Sequence, residues 1–279
     1  MKLSPNNLYI VSTPIGNLDD ITLRALEVLK NSDIILCEDT RRSIKLLNHY
    51  KIKKKLIPYH KFNEKKQASK IIEYINEGKI LSLISDAGTP LLSDPGRLLV
   101  NQSIENNIKI VPIPGVSSIT TAMSVSGFKD QFLFSGFLPK TENELEKVLL
   151  SLSENKFSQI FFIPALKVNF YLKYFKKYFS GRKLLIAKEL TKIHETFFRE
   201  NINDVKLFKK PMKGELTIII SEKDVKKKEL DKEKIVNKAE RYLKKYSLKD
   251  TVDLILESEK VNKKEIYKLC LKVKNEKNY

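Results

Sequence analysis

Three short stretches of the chain combine glycine, proline, hydroxyl and acidic residues at spacings suited to holding a small ligand. The richest is SDAGTPLLSDPGR, Ser85 to Arg97. Gly88 and Gly96 permit positive φ or close backbone approach, and Pro90 and Pro95 stiffen the loop. Asp86 and Asp94 offer carboxylates to a ribose hydroxyl or an amino group. A plain strand-to-helix connection needs a turn and a capping Asp; this stretch carries two of each. A second stretch, STPIGNLDDIT, holds Pro14, Ile15 and Gly16. Its single glycine falls short of the three-glycine dinucleotide fingerprint. Asp19 and Asp20, at the expected opening of the next helix, would repel a pyrophosphate. A third, PIPGVSSITT, holds Ser117 and Ser118.

No GxxxxGK[ST] run is present, which excludes the phosphate-cradle nucleotide hydrolases. The pattern therefore points to a neutral or cationic small ligand. S-adenosylmethionine, with its positive sulfonium, has that character. Histidine is scarce, and His49, His60 and His194 form no i,i+4 pair. Neither a metal site nor a Cys–His nucleophile pair is expected. Cys37 sits in an apolar run and is expected in the core.

All three stretches follow strand-like runs. LYIVST (8–13), IILCED (34–39), KLIPYH (55–60), ILSLIS (80–85) and IKIVPIP (108–114) alternate with helical patterns near 20–30, 41–48, 63–77, 96–106 and 117–126. Such alternation predicts a mostly parallel sheet with helices on both faces. Ligands bind beyond the carboxyl ends of strands in such sheets, where the three stretches fall. The middle of the chain differs. Strands at 132–137, 159–164, 183–190, 195–201 and 215–221 enclose only two helices, 142–152 and 165–179, which predicts a mixed sheet. The expected organisation is an N-terminal α/β domain over 1–127, a mixed α/β domain over 128–223, and a basic, helix-turn-helix-like tail over 224–279. KKKELDKEK reads there as a charged linker, and SEKVN joins two short helices.

The 279 residues are long enough for a large core. No apolar run approaches the roughly 20 residues of a membrane span, and the N-terminus lacks an apolar signal core. A soluble cytoplasmic protein is expected. Lys and Arg number 52 against 34 acidic residues, a net charge of +18. That excess favours polyanions, although 45 of the 52 are lysines, as a biased composition would also give. The aromatic run over 161–179 fits either base stacking or a helix buried in the core.

TPIGNLDDITLRAL, EDTR, SDAGTPLLSDPG, VPIPGVSSITTA, SGFLP, KELTKIHET and KGE occur in this order between about Leu8 and Ile220. The order resembles the tetrapyrrole-methylase superfamily and, within it, the 16S rRNA cytidine-2′-O-methyltransferases. The resemblance implies a class III methyltransferase fold: two α/β domains, S-adenosylmethionine in the cleft between them, and a small C-terminal helical tail. It further implies a homodimer and the small ribosomal subunit as substrate. Cofactor contacts are then expected at Pro14, Ile15 and Gly16, at Asp86, Gly88, Thr89 and Pro90, at Ser117 and Ser118, and at Phe162 and Gly214. Arg41, Arg42 and Lys167 are expected to meet RNA. Methyl transfer to a hydroxyl needs a proton acceptor, and the candidates by position are carboxylates and a lysine at strand ends or within motif-like runs. Glu189 and Lys188 are the expected catalytic pair, with Glu38 and Asp39 as further candidates. Many superfamily members have Gly-Asp-Pro where Gly88-Thr89-Pro90 stands, so Thr89 removes a carboxylate. Close relatives often carry Tyr-Glu-Ser-Pro-His-Arg after the strand at 159–162. Here Phe162-Ile163-Pro164-Ala165-Leu166-Lys167 stands instead, and only Lys167 keeps a positive charge. A small-molecule, tetrapyrrole-like methyltransferase and a non-catalytic rRNA-binding or assembly protein are the competing readings.

Overall fold

The computed structural model describes residues 3–223, 232–258 and 263–277. The chain divides into two compact units, Met1–Lys223 and Asp224–Tyr279. Within the first unit, strands β1 (Asn7–Val11), β2 (Ile34–Cys37), β3 (Lys55–Pro58), β4 (Leu81–Leu83) and β5 (Lys109–Ile113) form one sheet in the order β3-β2-β4-β1-β5. Every pairing in it is parallel. Period-two alternation sends Leu8, Leu36, Leu81 and Leu83 to one face, where helices α3 (Glu64–Asn76) and α4 (Arg97–Glu105) cover them. Tyr9, Val11, Ile35 and Cys37 point to the other face, against α1 (Leu23–Asn31) and Leu47 of α2 (Thr40–His49).

Strands β1 and β4 are neighbours, yet the chain leaves them in opposite directions. From β1 it crosses by α1 to β2; from β4 it crosses by α4 to β5. The loops at their carboxyl ends must therefore diverge, and a crevice opens between them at the topological switch point.

The helix expected over 20–30 begins later. Asn17 accepts the Asp19 N–H and caps a 3₁₀ turn over Leu18–Asp20. Thr22 then accepts the Ala25 N–H and starts α1 at Leu23, so Asp19 and Asp20 lie outside that helix. The helix expected over 165–179 is likewise a 3₁₀ turn, Ala165–Lys167, followed by α7 (Val168–Tyr178).

The second sheet comprises β6 (Phe132–Phe137), β7 (Ser158–Pro164), β8 (Lys183–Lys188), β9 (Thr196–Asn201) and β10 (Glu215–Ile220) in the order β6-β7-β10-β8-β9. Only β6 and β7 pair parallel, as a mixed sheet requires. One face sends Phe161, Leu184, Ile186 and Ile218 against α6 (Glu142–Ser153) and α7. Phe161, Tyr171, Phe175 and Phe179 are fully buried there, which assigns these four aromatics to packing. On the opposite face Ile160, Leu185 and Ile219 meet Ile119 and Ala122 of α5 (Ser118–Ser124), a helix that follows the first sheet. That contact couples the two sheets, and the sequence boundary expected near residue 127 falls just after it.

The second unit packs α8 (Lys232–Leu243), α9 (Leu248–Ser258) and α10 (Lys263–Lys277) around Ile235, Ala239, Val252, Ile255, Ile266 and Cys270. Lys226 to Lys228, most of the charged linker and most of the joining segment SEKVN lie outside the described residues.

One buried cation ties α6 to the second sheet. Arg182 is only 4% exposed. Its guanidinium donates to the carbonyls of Ser153 and Asn155, both at 2.7 Å, and of Ser221 at 3.4 Å. Arg182→Leu leaves three carbonyl acceptors without this donor, one of them buried and two half-buried. It should lower the unfolding free energy by about 2–4 kcal/mol, measured by urea denaturation of the full chain.

Candidate functional site

The loops after β1 and β4 are stitched together. Thr13 and Gly88 exchange both backbone hydrogen bonds at 2.9 Å, as an isolated bridge beyond the sheet. Gly88 sits at φ +79, where a side chain is strained. Thr13 Oγ1 donates to the Ser85 carbonyl at 3.2 Å. Thr89 Oγ1 lies 3.1 Å from Ser12 Oγ and donates to the Val116 carbonyl at 3.0 Å. The third loop thus joins the other two. Thr89 serves as the knot between all three.

Above this knot lies a cavity of about 410 Å³ between the two sheets. Of the residues expected to hold a cofactor, Ile15, Asp86, Gly88, Thr89, Ser117, Ser118, Phe162 and Gly214 line it. Pro14 and Gly16 line a smaller neighbouring cavity instead, and Pro90 is buried behind the loop. From the second sheet come Phe137, which lies in the SGFLP run, and Ala187 and Thr217, which lie in none of the quoted motifs. Phe162 meets Phe134 and Phe137 edge-on, at centroid distances of 4.9 and 5.4 Å. Thr217 carried a faint sequence signal, as the one hydroxyl in an aliphatic strand. Ala187 carried none.

The electrostatics of the cavity oppose those of the chain. Glu38, Asp86, Asp94 and Glu215 line it against a single cation, Arg42. Asp86 accepts the Asp39 N–H at 3.0 Å, and Arg42 lies 3.5 Å from its other oxygen. Burial, and then repulsion from Asp86, pushes Glu38 above the usual carboxylate range. Asp94 is pushed up to about 6, first by burial and then by repulsion from Glu38; the hydrogen bond from Ser85 and the charge of Lys61 only partly offset this. The segment that delivers Asp94 is wound through three left-handed residues: Leu91 at φ +72, Ser93 at +77 and Gly96 at +129.

The expected catalytic pair lies elsewhere. Neither Glu189 nor Lys188 lines the cavity. Glu189 sits at φ +53, and its carboxylate accepts the Glu215 N–H at 2.8 Å and Lys192 Nζ at 3.1 Å. Burial alone would raise its pKa, but these bonds outweigh burial and hold it below the ordinary value. A carboxylate held so is a weak proton acceptor. A Cβ on Gly214, at φ +100, would strike the Glu189 carboxylate. Glu189 therefore braces the Gly214 backbone beside the cavity. Asp39 is also removed as a base: Arg41 bonds it through Nε at 3.1 Å and Nη2 at 2.8 Å, which holds it at about 2. Arg41 and Lys167 are exposed and off the cavity wall; Arg42 alone of the expected RNA-facing cations borders it. Cys37 is fully buried and its thiol is pushed up by burial, as a core residue's is.

The cavity suits S-adenosylmethionine. Its volume lies in the range of small-molecule sites. Its carboxylates match a sulfonium and an ammonium, its loops offer backbone and hydroxyl groups, and Phe137 and Phe162 offer ring faces. Asp94→Asn should weaken binding of S-adenosylmethionine more than that of the uncharged-sulfur product S-adenosylhomocysteine, read by calorimetry. The folded protein holds the Asp94 proton more tightly than the unfolded chain between 3.8 and about 6. Asp94 therefore contributes stability at low pH that is lost as pH rises through that window. Asp94→Asn should accordingly stabilise the unliganded protein at pH 7.5 by roughly 1–2 kcal/mol after solvent screening and not at pH 3.5, by thermal unfolding.

Residues 7–206 match the family described as Tetrapyrrole (Corrin/Porphyrin) Methylases. The chain is 45% identical over 229 residues to the ribosomal RNA small subunit methyltransferase I of Mesomycoplasma conjunctivae, covering 81% of this chain and 95% of the relative. It is 44% identical over 275 residues to the Rickettsia prowazekii protein of the same name, covering 96% of this chain and 98% of the relative. Among solved structures, the methyltransferase CobJ superposes with a TM-score of 0.60 at 17% identity, covering 77% of this chain and 94% of that one. The uroporphyrin-III C-methyltransferase of Thermus thermophilus, solved with S-adenosylhomocysteine, gives 0.54 at 14% identity, covering 76% and 96%. The chain belongs to the tetrapyrrole methylase family and, within it, to the ribosomal RNA small subunit methyltransferase I group; it is a methyltransferase whose cofactor is S-adenosylmethionine.

Proposed function

We propose that the protein methylates the 2′-oxygen of a cytidine ribose in the decoding region of 16S rRNA, acting on the small ribosomal subunit in the cytoplasm as a homodimer. The observation that carries this reading is the charge separation: a chain of net charge +18 whose main cavity is lined by four carboxylates and one arginine. The outer charge suits a polyanion and the inner charge suits a cationic methyl donor. The relatives' shared name supplies the ribosomal substrate class.

When bound, S-adenosylmethionine supplies an electrophilic methyl group. Asp86, Gly88, Thr89, Ser117, Ser118 and Phe162 are the residues that would hold it. The protein must orient a ribose hydroxyl in line with that methyl group and accept the proton the hydroxyl gives up. Asp94 is the acceptor we favour over Glu189. What supports it is its place on the cavity wall and a proton affinity nearer neutrality. Glu38, its repelling neighbour, is positioned to hold that affinity up. The basic tail over 224–279 is assigned to substrate binding.

Loss of the gene should remove one 2′-O-methylcytidine from 16S rRNA, read by mapping ribose methylation. Restoring the wild-type gene should return it and restoring Asp94→Asn should not. An unchanged methylation map would sink the assignment. Removing residues 224–279 should raise KM for small subunits while leaving the affinity for S-adenosylmethionine within twofold of wild type; equal loss of both would count against a substrate-binding tail.

A further inference from the structure

A second cavity, of about 260 Å³, adjoins the first. Ile15, Arg42, Asp86, Ala87 and Glu215 border both and form the partition between them. Beyond the partition the wall becomes cationic. Arg42 and Lys45 lie three residues apart on α2 and share a face, and Lys192 reaches in from the loop after β8.

Gly16 explains how Lys192 gets there. A Cβ on Gly16 would lie 2.5 Å from Lys192 Cγ and 2.7 Å from both the Leu190 carbonyl and Thr191 Oγ1. The glycine lets the lysine stem cross the β1 loop. The Lys192 ammonium is then held by Glu189 at 3.1 Å and Glu215 at 2.8 Å. Both carboxylates on this wall are thus already engaged: Glu215 with Lys192, and Asp86 with Arg42 and the Asp39 N–H. Lys45 is exposed, and its ammonium pairs with no carboxylate among the described residues. Arg42 is 62% exposed and only 3.5 Å from Asp86 at its nearest nitrogen, which leaves guanidinium donors for a second acceptor.

We propose that this second cavity is the subsite for the RNA phosphodiester next to the methylated ribose, with Lys45 and Arg42 as its cations. The inference rests on the rRNA reading above. In a nucleotide, the carbon carrying the 3′ phosphate is bonded to the carbon carrying the 2′ hydroxyl. The pocket that takes the phosphate must therefore share a wall with the pocket that presents the methyl group. The main cavity is too acidic to accept a phosphate, so the backbone must turn out of it. The shared partition leads it directly to Arg42 and Lys45.

The test measures methyl transfer to purified small ribosomal subunits against salt concentration, for the full-length wild type and Lys45→Glu, with S-adenosylmethionine affinity read by calorimetry. Lys45 is exposed on a helix, so the variant should fold, and wild-type calorimetric affinity will confirm it. The expected result is a KM for subunits raised about tenfold, cofactor affinity unchanged, and a salt slope shallower by about one. Wild-type transfer accompanied by a variant KM raised less than threefold would overturn the subsite alone. A raised KM with the wild-type salt slope would also overturn it, because the lost contact would then not be to a phosphate. A wild type that transfers no methyl to small subunits would overturn the rRNA reading, and the subsite with it.

Discussion

The site depends on one reciprocal pair of backbone hydrogen bonds, between Thr13 and Gly88. Parallel neighbours whose chains depart in opposite directions leave a gap at the sheet edge, and a gap alone is only a solvent-filled notch. The Thr13–Gly88 bridge closes its floor and sets the spacing of the two loops. Gly88 can make that bridge because its φ of +79 costs glycine little. Thr89, the next residue, extends the tie to the turn before α5. The arrangement of acidic and hydroxyl groups above it follows from that knot.

Much of the scaffold was legible in the sequence because burial on both faces forces a simple period. Leu8 and Leu36 point one way, Tyr9 and Ile35 the other, and glycine- or proline-rich turns punctuate the runs. The mixed second sheet was legible for a complementary reason, since three strands in succession leave no crossover helix to make them parallel. Element starts were less so: Asn17 and Thr22 both offer caps, and only the folded chain shows that each is used in turn.

The site was legible in part, and the boundary is physical. Residues in the loops of the first sheet could be found, because glycines, prolines and acids concentrate there. Ala187 could not, since it reaches the cavity only through packing of one sheet on another. Glu189 drew attention as an acid at a strand end. Its left-handed backbone and its bond to the Glu215 N–H, which hold it against Gly214, have no one-dimensional trace. Asp94 shows the reverse case. Its loop was conspicuous, but its elevated proton affinity arises first from burial between the sheets and then from Glu38, 56 positions earlier in the chain.

Helix α5 belongs to the first half by sequence and to the second by contact. Ser117 and Ser118 at its start line the cavity, while Ile119 and Ala122 are buried against the second sheet. A recombination junction placed after residue 127 would thus sever the covalent boundary while leaving the packing boundary uncut. The second half cannot be exchanged for that of a distant relative as a free cassette. Any donor half must bring an aliphatic surface complementary to Ile119 and Ala122, so diversification of substrate range by shuffling halves is tied to co-inheritance of this one short helix.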